Sequence, residues 1–131
     1  MDDKLYWYKA TLIRAVDGDT AEIDLDLGMD IHFRERVRIY GINTPEIFGV
    51  KKESNEYAKG MEAKRAVEEL LGDREFWVKT HKDKKGKYGR YIVEIFFDPE
   101  DDLGPVSLDE NGLISLGQYL VSKGLAEYKE Y

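Results

Sequence analysis

From Thr20 to Leu27 the chain reads TAEIDLDL, and its apolar and polar residues alternate without a break. Ala21, Ile23, Leu25 and Leu27 fall on one face and Glu22, Asp24 and Asp26 on the other, so the segment predicts a strand buried on one side and solvated on the other. Upstream, YKATLIRAV is rich in apolar and β-branched residues and stops at Asp17-Gly18, a strong turn dipeptide. Downstream of a turn at Gly28, a third strand is expected from about Ile31 to Tyr40. It carries Phe33, Val37 and Ile39 on one face and Arg34, Arg36 and Arg38 on the other. Three strands joined by short turns form a meander, which must curl or gain a partner layer to bury its apolar side.

The period then changes. SNEYAKGMEAKRAVEELL, from Ser54 to Leu71, sets Ala63, Val67, Leu70 and Leu71 on a helical stripe, with Ser54 or Asn55 as N-cap and Gly72 as the stop. EFWVKT and YIVEIFF predict two more strands around a basic, Gly-containing loop. SLGQYLVSKG predicts a short closing helix with Leu116 and Leu120 inward. The order is three strands, helix, two strands, helix, with no internal repeat or linker. A mainly β fold with helices follows, of the small five-stranded Greek-key barrel type that binds oligonucleotides or oligosaccharides, although such an architecture alone fixes no function.

Composition narrows the chemistry. With 131 residues, 42% of them hydrophobic, the chain supports one compact core, and a single domain over residues 1–131 is expected. There is no cysteine and there are two histidines, so thiolate sites are excluded and any metal would be held by oxygen. No apolar run approaches the ~20 residues that cross a bilayer, and the start MDDKLYWYKA lacks the pattern of a signal peptide. The chain as given is therefore expected in the cytoplasm, or outside the cell if a leader was removed, with no membrane partner.

A net charge of -7 argues against a general nucleic-acid coat, because phosphate binding is driven by Lys and Arg. The average hides segregation. HKDKKGKYGR, from His81 to Arg90, carries Lys82, Lys84, Lys85, Lys87 and Arg90 against Asp83, whereas DPEDDLGPVSLDENG, from Asp98 to Gly112, has six acidic residues and no basic one. Each run taken alone is a solvated loop, but the first creates a local field that attracts a polyanion.

Two short motifs present oxygen donors. DGDT places Asp17 and Asp19 at a hairpin tip, where both could simply make the turn. An EF-hand is ruled out, since its sixth and twelfth positions would be Glu22 and Gly28. NTPE offers the Asn43 amide oxygen, the Thr44 backbone carbonyl and, after the rigid Pro45, the Glu46 carboxylate; alone it is also compatible with a surface turn. KYGR likewise fits a Tyr-Gly turn with an exposed arginine, and Arg38 is an ordinary residue for the solvated face of a sheet.

Taken in order, DGDT, Arg38 followed by GINTPE, KYGR and LVSKGLA resemble the staphylococcal nuclease, or thermonuclease-like, domain family from about Ala10 to Ala126. The resemblance implies the five-stranded barrel with helices already reached from the strand count. It implies Ca²⁺-dependent hydrolysis of DNA and RNA phosphodiesters leaving 3'-phosphate ends, with nucleic acid as the substrate partner of a monomer. Carried over by motif, Asp19, Asn43 and the Thr44 carbonyl are the implied Ca²⁺ ligands. Arg38 and Arg90 are the implied phosphate-binding arginines, Glu46 is the implied catalytic glutamate, and by the same resemblance Lys87 and Tyr88 occupy positions suited to gripping a terminal phosphate of the substrate. These residue types suit the chemistry, since a metal ion and two guanidiniums neutralise charge gathered on phosphoryl oxygens while a carboxylate orients or deprotonates water. One position departs from the family pattern: Asn43 stands where Asp is usual, which removes a negative charge from the metal site and predicts weaker Ca²⁺ binding. The competing expectation is a barrel that binds single-stranded nucleic acid or a protein partner without cutting.

Overall fold

The computed structural model describes residues 7–45, 47–51, 53–72, 74–85, 91–98, 108 and 112–129, with the backbone alone for 81–85. Its long strands are β1 (Trp7–Ala15), β2 (Thr20–Asp26), β3 (His32–Ile39), β5 (Glu75–Lys85) and β6 (Tyr91–Phe97). Two-residue strands β4 (Ile42–Asn43), β7 (Ile114–Ser115) and β8 (Glu127–Tyr128) and helices α1 (Asn55–Leu71) and α2 (Leu116–Ser122) complete the element order. The sheet runs β3-β2-β1-β5-β6-β7, and a parallel pairing of β3 with β6 closes the five long strands into a barrel. Closure removes the two sheet edges that an open meander would leave unpaired.

The alternation seen in the sequence decides what lies inside. Ala21, Ile23 and Leu25 of β2, Val37 and Ile39 of β3, Phe76 and Val78 of β5, and Val93, Ile95 and Phe97 of β6 are buried in one core. Leu27 and Phe33, expected inward, are instead 43% and 40% exposed, because the β2-β3 hairpin extends beyond the barrel. There Phe33 rests edge-on against Tyr91, with ring centroids 6.2 Å apart. Helix α1 starts where expected, with the Ser54 hydroxyl accepting the Tyr57 N–H, and it lays Ala63, Val67, Leu70 and Leu71 onto the barrel. Burial of Val67, Leu70 and Leu71 contributes ~1.5–3 kcal/mol each. Helix α2 is capped by Ser115 and buries Leu116 and Leu120.

Two expectations need revision. Strand β5 does not stop at Thr80 but continues through Lys85, which pairs with Tyr91, so half of the segment expected to be a basic loop is strand. Strands β4 and β8 were not expected at all. Their antiparallel pairing sets Ile42 against Tyr128 and Asn43 against Glu127, and Lys129 N–H donates to the Gly41 carbonyl at 2.7 Å. The segment after LVSKGLA thus clamps the start of NTPE in place.

Candidate functional site

The site begins with strand register. Thr20 pairs with Arg38 across β2 and β3, which sets Asp19, one residue earlier on the turn, beside the Arg38 guanidinium. The turn is tied down from both ends: Asp19 N–H donates to Asp17 Oδ1 at 3.0 Å, and Ile39 N–H donates to the Asp19 carbonyl at 2.9 Å. Gly18 adds a steric requirement. A Cβ on it would lie 2.6 Å from Thr44 Cγ2 and 2.7 Å from Ala63 Cβ, so only glycine lets the turn pack this closely against both the NTPE segment and α1.

From the other side, the chain leaves β3 through Gly41, whose φ of +82° is in the left-handed region that glycine adopts without strain. It then enters β4, where pairing with β8 holds Ile42 and Asn43 against Arg38.

The groups converge at the guanidinium. Arg38 Nη1 lies 2.6 Å from Asp19 Oδ2, while Nη2 donates to Asn43 Oδ1 at 2.6 Å and to the Ile42 carbonyl at 3.1 Å. Asp19 Oδ2 also accepts Thr44 N–H at 3.0 Å, and Oδ1 accepts the Thr20 hydroxyl at 3.2 Å. Asp19, Arg38 and Thr44 are each 8% exposed. Burial opposes ionisation of Asp19, but hydrogen bonds with Asp17 and Thr44 N–H, together with the charge and hydrogen bond of Arg38, hold its carboxyl below the ordinary range. An ionised carboxylate at this depth needs such partners.

Beside Asn43, Thr44 and Pro45 a cleft of about 460 Å³ opens toward Asn55 and Lys59 at the start of α1. Of the residues singled out from the sequence, Asp19, Arg38, Asn43 and Thr44 therefore meet. Glu46, Lys87, Tyr88 and Arg90 lie outside the described residues. Asp17 and Gly18 read in the sequence only as turn residues, and nothing there marks the Ile42 carbonyl. The signal for the first two lay within DGDT itself, in a short acceptor two residues before Asp19 and a side-chain-free residue between them.

A profile described as staphylococcal nuclease homologue matches residues 36–131. The chain belongs to that family. This is a nuclease-type family, so membership implies a nucleic-acid substrate, and the closed barrel with two helices agrees with it. Among curated proteins the chain has no match. The matched span begins at Arg36, so Asp19 lies before it, and its inclusion in the site rests on the contacts with Arg38 and Thr44.

Ca²⁺, which family resemblance implies, is tested by the donors themselves. Asp19 Oδ2 and Asn43 Oδ1, from separate elements, each lie 2.6 Å from a nitrogen of one guanidinium, so hard oxygens surround a single positive group. Donors of this kind fit a hard cation, with one formal negative charge between them. Among the described residues no group of three or more His, Cys, Asp or Glu converges in a way that could hold a metal. Also among them, no helix is long and apolar enough to cross a membrane.

Proposed function

We propose that the protein is a Ca²⁺-dependent nuclease that hydrolyses phosphodiester bonds of DNA or RNA and leaves 3'-phosphate ends. The observation that carries this reading is the meeting of Asp19, Arg38, Asn43 and Thr44 at the end of the β2-β3 ladder in a chain of the nuclease-type family.

Arg38 binds the phosphate undergoing attack, exchanging part of its contacts with Asp19 and Asn43 for phosphoryl oxygens. Its planar fork both neutralises and orients the anion. Arg90 is the second guanidinium, a role supported by the resemblance of KYGR to the family motif. Glu46, two residues after the anchored Thr44, orients or deprotonates the attacking water, a role that contributes typically ~10²–10⁴-fold. Lys87 and Tyr88 hold a terminal phosphate of the substrate. Asp19, Asn43 and the Thr44 carbonyl would hold Ca²⁺, which when bound supplies positive charge to phosphoryl oxygens.

The test is to incubate the protein with single-stranded DNA or RNA in Ca²⁺ or in chelator and to analyse product ends. Cleavage that requires Ca²⁺, leaves 3'-phosphates and disappears in Glu46→Gln is expected. Binding without cleavage, equal in wild type and Glu46→Gln, would replace this reading with the non-catalytic one.

A further inference from the structure

Strands β4 and β8 pair over two residues, and their two cross-strand pairs face opposite ways. Ile42 and Tyr128 line a pocket together with Tyr40, Ser115 and Gln118. Asn43 and Glu127 line the cleft beside Thr44 and Pro45 on the other face. Residues directly opposed in an antiparallel pair have Cβ atoms ~4.5–5.5 Å apart, so the Glu127 carboxylate belongs to the same wall as the Asn43 amide. The backbone that carries it is held on both sides. Leu125 N–H donates to the Leu120 carbonyl at 2.9 Å, Ala126 is buried, and Lys129 N–H donates to the Gly41 carbonyl at 2.7 Å.

Charge around the site is uneven. On the turn side stand two carboxylates, Asp17 receiving the Asp19 N–H and Asp19 bound to Arg38. On the β4 side Asn43 offers an oxygen without a charge, and that oxygen accepts from Arg38 at 2.6 Å. A cation entering here would meet a guanidinium already in place and an amide where the family resemblance expects an acid. Glu127 changes this balance. Among the described residues its carboxylate has no hydrogen-bond or ion-pair partner, and the other charged side chains of the cleft, Glu56 and Lys59 at the start of α1, are of opposite sign and offset each other. As an exposed acid without a partner it contributes little to the fold, whereas beside a cation it adds a full charge.

We propose that Glu127 is a further carboxylate of the Ca²⁺ site, supplying from β8 the negative charge that Asn43 lacks on β4. The inference rests on the Ca²⁺ reading of Asp19, Asn43 and Thr44 and adds a residue from outside their motifs. Ca²⁺ takes more oxygens than those three residues provide, and its affinity follows the charge of the ligands and the rigidity of the site. Asp19, tied to Thr44, and Glu127, opposed to Asn43, contribute one charge from each side of the two neutral oxygens between them.

Calorimetric titration of Ca²⁺ into the protein without nucleic acid tests the assignment. Glu127→Gln should weaken Ca²⁺ binding at least roughly fivefold, as expected for removing a unit charge beside a divalent ion, while its Ca²⁺-free melting temperature stays that of wild type. Glu127→Asp, which keeps the charge, should retain most of the affinity. Asn43→Asp/Glu127→Gln, which moves the charge across the strand pair, should return it to within roughly threefold of wild type. Glu56→Gln, on the α1 rim, should change it less than roughly twofold. Equal dissociation constants for wild type and Glu127→Gln overturn the inference and leave the Ca²⁺ reading intact. So does an equal loss in Glu127→Asp and Glu127→Gln, or a loss in Glu56→Gln as large as in Glu127→Gln, which would assign the effect to the general charge of the cleft. Absence of any Ca²⁺ binding by wild type overturns both.

Discussion

The Arg38 guanidinium and the Asp19 carboxylate lie 2.6 Å apart with side chains only 10% and 11% exposed, so each is the other's principal charge partner. Removing Arg38 takes from the buried Asp19 carboxylate the positive charge that favours its ionised form. Arg38→Ala is therefore expected to destabilise the fold by ~3–5 kcal/mol. Arg38→Lys keeps the charge but loses the fork that reaches Asp19, the Ile42 carbonyl and Asn43 together. Its expected rate loss is ~10²–10³-fold, with a lowered melting temperature. Thermal melts and initial rates on single-stranded DNA check both, and a Lys variant with wild-type rate would show that bidentate contact is not used.

At Asn43 an amide oxygen accepts from Arg38 at 2.6 Å. Asn43→Asp adds a negative charge without changing shape, and charge count is a main determinant of Ca²⁺ affinity. The variant is expected to bind Ca²⁺ more tightly, with a lower half-saturating concentration in cleavage and a larger Ca²⁺-induced rise in melting temperature. Equal values in the two proteins would mean that the new carboxylate is absorbed by Arg38 and does not reach the metal.

The legible parts of this molecule are those where one local signal suffices. β2 is written in its alternation, and α1 in its stripe from Ala63 to Leu71 bounded by Ser54 and Gly72. β4 and β8 were not legible, since a two-residue strand has no period and Asn43 finds Glu127 only after the barrel has formed. The continuation of β5 to Lys85 was hidden by its charges, because pairing with Tyr91 and not apolar content keeps it extended. For the site, DGDT and GINTPE supply Asp19, Asn43 and Thr44, which the fold brings together with Arg38. What they could not tell is that Arg38 is engaged with Asp19 and Asn43, which depends on the register that sets Thr20 opposite Arg38.

Gly18 is required for space. A Cβ there would press on Thr44 Cγ2 at 2.6 Å and on Ala63 Cβ at 2.7 Å, both on buried residues. Gly18→Ala is expected to cost ~1–3 kcal/mol through overpacking. It should also lengthen the hydrogen bond from Thr44 N–H to Asp19, now 3.0 Å. Activity should then fall together with stability, in contrast to a substitution at the exposed Ile13, 45% accessible on β1. Denaturant unfolding and cleavage rates of the two variants distinguish a site-coupled glycine from a simple turn residue.

Glu22 gives the fold a pH dependence with a definite sign. Hydrogen bonds from Arg14 and then Arg36, reinforced by their charges, push its carboxyl down from 4.5 to about 2. Between those values the unfolded chain holds more protons at this group than the folded one, so its contribution is present above 4.5 and is lost as pH falls through the folded value near 2. Wild type should thus lose more of its urea midpoint than Glu22→Gln on acidification through this window. Asp19, also lowered, acts in the same direction in both proteins and cancels from the difference. Because Glu22 is open to solvent, high salt should shrink the gap. Parallel midpoints across the window at low salt would show that Arg14 and Arg36 do not keep Glu22 ionised.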